Sequence, residues 1–357
     1  MGPRIPVFFT FLITLHVGGC AIGYYAQALR GQMELSSRSE PIEDLLEDDA
    51  LPEELRMRLE LILEIRRFAS NELQLPDNDS YRKYADLGRP YVVWNIFAAQ
   101  EFSVEPKTWC FPIVGCVGYR GYFKEEKAGA YAARLADDGF DVYVGGVAAY
   151  STLGRFDDPV LNTMLHWSDE RLAGIIFHEL AHQVLYVKGD SAFSEAFATA
   201  VEEIGVRLWI DRNGTQADLS RYYRARKYRS AFGRLVNQTR GQLRELYARE
   251  LSDTEKRESK RLIFAGMKDQ YVRMREAWEG YNGYDAWFAR ELNNAHLASV
   301  ATYRQYLPAF RLMFVRAGRD LTAFYDDVRE LSERSKSDRE VYIRELLAIA
   351  QSEPLTQ

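Results

Sequence analysis

The period of the apolar positions changes several times along the chain, and each change predicts a different kind of element. The first is an apolar run over 5–17. It is shorter than the roughly 20 helical residues needed to span a bilayer, and it matches the core of a secretory signal. Leu55, Leu59, Ile62 and Ile65 recur at helical spacing behind Pro52 and predict one long helix over about 52–74. Between 90 and 155 the pattern shortens. Segments 91–98, 108–115, 118–123 and 140–147 are rich in β-branched and aromatic residues and read as strands. Residues 125–138 read as a helix closed by Gly139.

Residues 168–212 read as two helices. Ser168 is a good N-cap for the first, with Asp169 and Glu170 in its first turn, and Gly189 closes it near Lys188. The second starts at Asp190 or Ser191 and runs to about Asp211. Tyr222, Phe232, Leu235, Leu243, Leu246 and Leu251 keep helical spacing, and Ser252-Asp253 suggests a break and a new cap. A helical hairpin over 216–279 follows, and 284–350 is helical again. The pattern predicts an α+β fold: a small, mostly antiparallel sheet packed on the 168–188 helix, with a large helical C-terminal region. Four divisions are expected, 1–19, 20–85, 86–212 and 213–357.

Composition narrows the class. The 357 residues are 47% hydrophobic and 27% charged, a globular mix that excludes a disordered chain and a polytopic membrane protein. The net charge of −6 gives no support to a nucleic-acid partner. Charge is uneven locally. Residues 31–80 hold 14 Asp/Glu against 5 Lys/Arg, and 216–279 hold 16 Lys/Arg against 9 Asp/Glu. The basic hairpin is either a solvated helical face or, since the charges oppose, docked on the acidic segment.

The apolar run ends Val17-Gly18-Gly19-Cys20. Small residues directly before a cysteine resemble a bacterial lipobox. The resemblance implies that Cys20 is the lipidated first residue of the mature protein and attaches it to a membrane. Ala21 in place of Asp implies sorting to the outer membrane, facing the periplasm. In an oxidising periplasm Cys110 and Cys116, six residues apart, are expected to form a disulfide.

The chemistry sits in His178-Glu179-Leu180-Ala181-His182. Spacing of i and i+4 puts both imidazoles on one helix face, one turn apart, so both can hold one Zn²⁺ ion. Glu179 follows the first of them and reaches a water that zinc would acidify, as a general base. A catalytic site needs a third protein ligand and an open position. On the next helix Glu195 and Glu202 both lie opposite the apolar stripe of Phe193, Phe197, Val201 and Leu208, with Ala198 and Thr199 between them. One glutamate is the third ligand. The other, with Thr199, lies behind the ligands and orients a histidine. Spacing leaves the choice open: Glu195 follows His182 after 12 residues and Glu202 after 19, the longer gap being nearer the thermolysin-like pattern.

Ser194-Glu195-Ala-Phe-Ala198 resembles the Asn-Glu-Gly-Phe-Ala segment of the alanyl-aminopeptidase family, and that resemblance implies Glu195 as the metal ligand. More broadly, the chain resembles a bacterial family of predicted aminopeptidases, zinc-dependent and lipid-anchored. The stretches that carry the likeness are Gly88-Arg-Pro-Tyr-Val-Val-Trp-Asn95, Thr108-Trp-Cys-Phe-Pro112, Gly118-Tyr-Arg-Gly-Tyr122 and Tyr150-Ser-Thr-Leu-Gly154. Residues 177–183, 194–203 and Leu292-Asn-Asn-Ala295 complete them. The resemblance implies a gluzincin-like hydrolase acting on a peptide substrate. Its alternatives are a periplasmic zinc endopeptidase and a non-catalytic zinc-binding scaffold.

Peptide hydrolysis passes through an oxyanion, so a donor beside the metal is expected. Tyr303 and His296 are candidates, with Tyr303 preferred as the catalytic donor. Asp157 and Asp158 are candidates for holding a substrate α-ammonium, Arg120 for a substrate carboxylate, and 150–154 for an edge strand that pairs with the peptide.

Overall fold

The computed structural model describes residues 19–111, 115–300 and 303–352. The expected signal segment lies outside these residues up to position 18. The side chains of Cys20 and Tyr303 lie outside the described ones as well.

Helix α1 (Gly19–Arg38) leads into β1 (Ser39–Pro41), α2 (Ile42–Leu46) and α3 (Glu53–Asn71). Then come β2 (Lys83–Ala85), β3 (Val93–Gln100), β4 (Trp109–Phe111), β5 (Gly115–Val117) and β6 (Arg120–Tyr122). Next follow α4 (Glu125–Asp137), β7 (Phe140–Val147), β8 (Val160–Leu161), α5 (Asp169–Val184) and α6 (Ser191–Asn213). The rest is helical: α7 (Gln216–Tyr247), α8 (Asp253–Ala277), α9 (Asp285–Phe288) and α10 (Asn294–Ser299). The last described helices are α11 (Leu307–Arg316), α12 (Leu321–Glu333) and α13 (Lys336–Ser352). The class is α+β. No helix of the described residues is long and apolar enough to cross a membrane.

The strands form three small sheets. In the largest, β3 lies between β6 and β7 and pairs antiparallel with both, in register from Val93 opposite Val147 to Gln100 opposite Phe140. Its core holds Trp94, Ile96, Tyr122 and, from α4, Ala128 and Leu135. A mixed sheet orders β1-β2-β8, with β2 and β8 parallel. Its Tyr84, Val160 and Leu161 share the main core with Leu172, Ile176 and Phe177 of α5. So the mixed sheet lies in the core of the 178–182 helix, and the largest sheet reaches that core through Val93 of β3. The segment read as one strand over 108–115 is instead the first arm of a hairpin, β4 against β5, whose facing residues Cys110 and Cys116 form a disulfide.

Helices α7 and α8 form the hairpin read from the sequence. Each begins with a capping box, at Thr215 with Asp218 and at Ser252 with Glu255. They enclose a second core around Phe232, Leu235, Val236, Leu243, Phe264 and Met267. Their basic side chains do not pair with the acidic 31–80 segment. Among the described residues they reach Glu170, Glu202 and Glu203 on α5 and α6, and Glu101, Glu105 and Asp141 beside the largest sheet. The 31–80 segment instead sends Leu59, Ile62, Ile65 and Phe68 of α3 into the main core, where α11, α12 and α13 add Phe310, Phe324, Ile343 and Leu346.

Candidate metal centre

Helix α5 follows Ser168, with Asp169 and Glu170 in its first turn, where negative charge suits the helix dipole. Leu172, Ile176, Phe177 and Leu180 bury one face, which leaves His178, Glu179 and His182 facing elsewhere. The helix stops at Val184, one turn before Gly189. Leu185 turns extended (φ −154°) and is buried in the main core. Gly189, at φ +81°, serves the turn into α6. Asp190 caps α6 by accepting from Phe193 N at 3.3 Å. Buried Ser194 accepts from Val187 N at 3.0 Å and donates to Asp190 O at 3.1 Å. These bonds set where the first turns of α6 lie, and so where Glu195 lies. Glycines bring α5 and α6 close: a Cβ on Gly174 would meet Val206 and Glu202 at 3.2 and 3.4 Å.

The packing brings the predicted residues together. The His178 and His182 rings stand 4.8 Å apart between centroids and nearly perpendicular, at 83°. Glu195 lies between them, Oε2 at 3.3 Å from His178 Nε2 and Oε1 at 3.5 Å from His182 Nε2. One donor atom from each of the three lies within 4.8 Å of the others. Glu202 is behind, with Oε2 at 3.2 Å from His178 Nδ1, and it reaches Arg229 at 3.8 Å. The two glutamates that spacing left open thus occupy different positions, one between the Nε2 atoms and one at the back of a ring. Thr199 is buried on α6, one turn after Glu195.

Burial alone would push the His178 imidazolium down. Its bonds to Glu195 and Glu202 outweigh that and raise it to about 10. Burial likewise acts to raise Glu195, and its bonds to His178 and His182 hold it well below the usual carboxylate range. The cluster therefore favours a positive charge at its centre. Two imidazole nitrogens and a carboxylate oxygen also form the donor set of an open zinc site, so the residues present fit that ion. His178 has the carboxylate partner that orients a metal-binding imidazole. Nδ1 of His182 is buried with no partner among the described residues.

Other residues around Glu179 were not legible in the sequence. Buried Arg66 of α3 donates to the carbonyls of Pro76, Asn78 and Ser80 and shapes the 76–81 loop. Asn78 donates to Gln183 Oε1 at 2.7 Å, and Gln183 Nε2 donates to Ser80 Oγ at 3.2 Å, which docks that loop one residue past His182. At its end Tyr81 adopts φ +63° and is buried. Among the described residues its hydroxyl has no hydrogen bond of ordinary geometry. Burial pushes the hydroxyl well up, and the nearby charges of Glu179 and Asp158 add to this. The available signal was Arg66 itself, a lone charge on the apolar stripe between Ile62 and Ala69. Tyr186 packs edge-on against His182 at 5.9 Å.

Several sequence candidates lie elsewhere. Asp157 pairs with Lys83 at the surface. Asp158 is 1% exposed, and its carboxylate is occupied by Ser151 and Thr152. Residues 150–154 form a turn, with Leu153 and Gly154 at positive φ, and not an edge strand. Arg120 stacks on Tyr24 at 4.1 Å and Tyr131 at 4.7 Å. His296 packs on Tyr143 at 4.3 Å, and burial pushes its pKa down to about 4. It lies outside the His178–His182–Glu195 cluster. Tyr303 opens a short 3-10 turn before α11.

No curated protein and no solved structure matches the chain. Residues 23–343, which span both helices of the centre and almost all of the surrounding fold, match the family described as "Putative aminopeptidase", and the protein belongs to that family.

Proposed function

We propose that the protein is a zinc-dependent aminopeptidase, with His178, His182 and Glu195 as ligands and Glu179 as general base. The observation that carries this is the convergence of two Nε2 atoms on one carboxylate beside Glu179, in a member of a peptidase family. A zinc ion bound there would lower the pKa of a water toward about 7. Glu202 fixes the His178 ring and its tautomer by accepting from Nδ1, which leaves Nε2 as the free lone pair. Glu179 takes a proton from the attacking water and returns it to the leaving amine. Cys20, near the start of α1, is read as the lipidated residue that tethers the enzyme on the periplasmic side of a membrane. Fatty-acid label incorporated by the parent and lost in Cys20→Ala is the expected result.

The deciding measurement is zinc per chain in the parent, Glu195→Ala and Glu179→Gln, alongside hydrolysis of free-amine and N-acetylated peptides. The expected result is about one zinc in the parent, a large loss in Glu195→Ala, and zinc retained without hydrolysis in Glu179→Gln. Hydrolysis should require the free amine. A parent that cannot be loaded with zinc, or full activity in Glu179→Gln, overturns the reading.

A further inference from the structure

A cleft of about 880 Å³ lies between α7 and the start of α11, and it is tied to the centre through Arg229 of its lining, 3.8 Å from Glu202, the partner of His178. Its lining is cationic although the chain as a whole carries −6. The one carboxylate in it is Glu203, the neighbour of Glu202 on α6. Glu203 is held by Arg226 at 3.1 Å and by both Nε and Nη2 of Arg311, at 2.8 and 2.6 Å. It shows what a carboxylate does in this cleft: it enters an arginine fork.

Farther along α7, Arg244 at the far end pairs with Glu105 at 2.8 Å, but the cations between lack a carboxylate among the described residues. Arg234 donates to the Ser230 hydroxyl, and Arg240 makes a long bond of 3.4 Å to the Val104 carbonyl. Among the described residues neither these two nor Lys227 forms an ion pair with a carboxylate. Like charges that share a concave wall repel, and the arrangement is relieved by an anion between them. The row has a shape too. Arg226, Ser230, Arg234, Asn237, Arg240 and Arg244 line the cleft at helical spacing. At about 1.5 Å per residue they extend roughly 27 Å. Such a row suits an extended chain bearing several carboxylates better than one compact anion. A concave cleft between helices also suits a strand of peptide better than a flat lipid surface.

We infer that this cleft binds the acidic tail of an extended peptide substrate, running from the Glu203 end near the metal centre along α7. The inference rests on the peptidase reading and narrows its substrates to acidic peptides. The carboxylates beyond the scissile bond enter the forks that Arg234 and Arg240 leave open.

The test uses three peptides with the same N-terminal residues and tails rich in Glu, Gln or Lys. The parent is compared with Arg234→Gln/Arg240→Gln and the charge-reversed Arg234→Glu/Arg240→Glu. The Glu-tailed peptide should exceed the Gln-tailed one by about tenfold in kcat/KM, mostly through KM. The advantage should shrink as salt rises from about 0.05 M to about 0.5 M. Both double variants should lose it, and circular dichroism and thermal unfolding matching the parent show that they fold. Anisotropy of the labelled peptides with Glu179→Gln separates the two readings. Hydrolysis with no preference among tails keeps the peptidase and removes the cleft assignment. Tight, salt-sensitive binding of the Glu tail, lost when Arg234 and Arg240 are also replaced, keeps the cleft even if no peptide is cut. Vesicles of anionic lipid that bind through Arg234 and Arg240, with no binding of the Glu tail, overturn the inference in favour of a membrane-docking surface.

Discussion

Asp158 accepts hydrogen bonds from the Ser151 hydroxyl and from the amide and hydroxyl of Thr152, all within its own loop. Burial nevertheless raises its carboxyl to about 6, and the charge of Glu179 adds to the rise. A folded-state pKa above the unfolded value of about 3.9 means that the native protein binds this proton more tightly. Its contribution to stability is complete below pH about 4 and is lost as pH climbs through about 6, a change of roughly 2–3 kcal/mol. Asp158→Asn keeps an acceptor for the Thr152 amide and has no proton to lose. Urea unfolding at pH 4.5 and 7.5 should show the variant gaining on the parent as pH rises; parallel curves would remove Asp158 from the account. At this scale the sequence exposed the atoms that share one helix. His178 and His182 are a turn apart, and Glu195 and Glu202 two turns apart, so periodicity alone aligns each pair. It hid Tyr81 and Gln183. They meet Glu179 and the 76–81 loop only because Arg66 folds that loop back, and a tyrosine at φ +63° has no period to betray it.

At the scale of elements, the α5–α6 pair depends on glycine where the helices touch. A Cβ on Gly205 would sit 2.6 Å from Leu73 Cδ1 and 2.7 Å from Phe177 Cδ2, both wholly buried. Overpacking of that kind costs about 1–3 kcal/mol, against a helix-propensity gain of at most about 1. Gly205→Ala should therefore be destabilised, and its tilt of α6 should weaken zinc binding. Gly241 on α7 has nothing within 4 Å of an added Cβ, so Gly241→Ala should gain about 0.5–1 kcal/mol. Denaturant midpoints of the two variants check the contrast. The helix starts at Asp190 and Ser252 and the strand at 140–147 were readable because their causes are local, although Ser168 stands at the start of α5 without a capping bond. The end of α5 was not. Gly189 is an ordinary stop signal, yet Leu185 is drawn into the core first, and a core contact ends the helix a turn early.

Across the whole molecule, α13 holds the start of the glutamate helix. Arg339 donates to Asp190 Oδ2 through Nη2 at 2.8 Å and Nε at 3.2 Å, and the pair is almost fully buried. Asp190 is also the cap of α6. Arg339→Ala strands a buried carboxylate and should cost about 3–5 kcal/mol, with zinc affinity falling alongside stability. Asp190→Asn with Arg339→Met removes both charges while keeping a capping acceptor, and should recover most of the loss. Thermal unfolding with and without zinc measures both. The partition of charge was plain in the sequence, but the choice of partners was not. The acidic 31–80 segment and the basic hairpin bear opposite charge, yet the hairpin pairs with α5, α6 and the sheet margin, since proximity in the fold, not net charge, selects an ion pair. The Asp190–Arg339 clamp spans 149 residues. Synthesis delivers His178, His182 and Glu195 long before Arg339, so a nascent chain carries the cluster before the side chain that holds Asp190, the cap of the helix bearing Glu195. Completion of the centre therefore waits on α13, and chains cut before α13 should keep the His178–His182 motif but lose the clamp on Asp190 and the stability it confers.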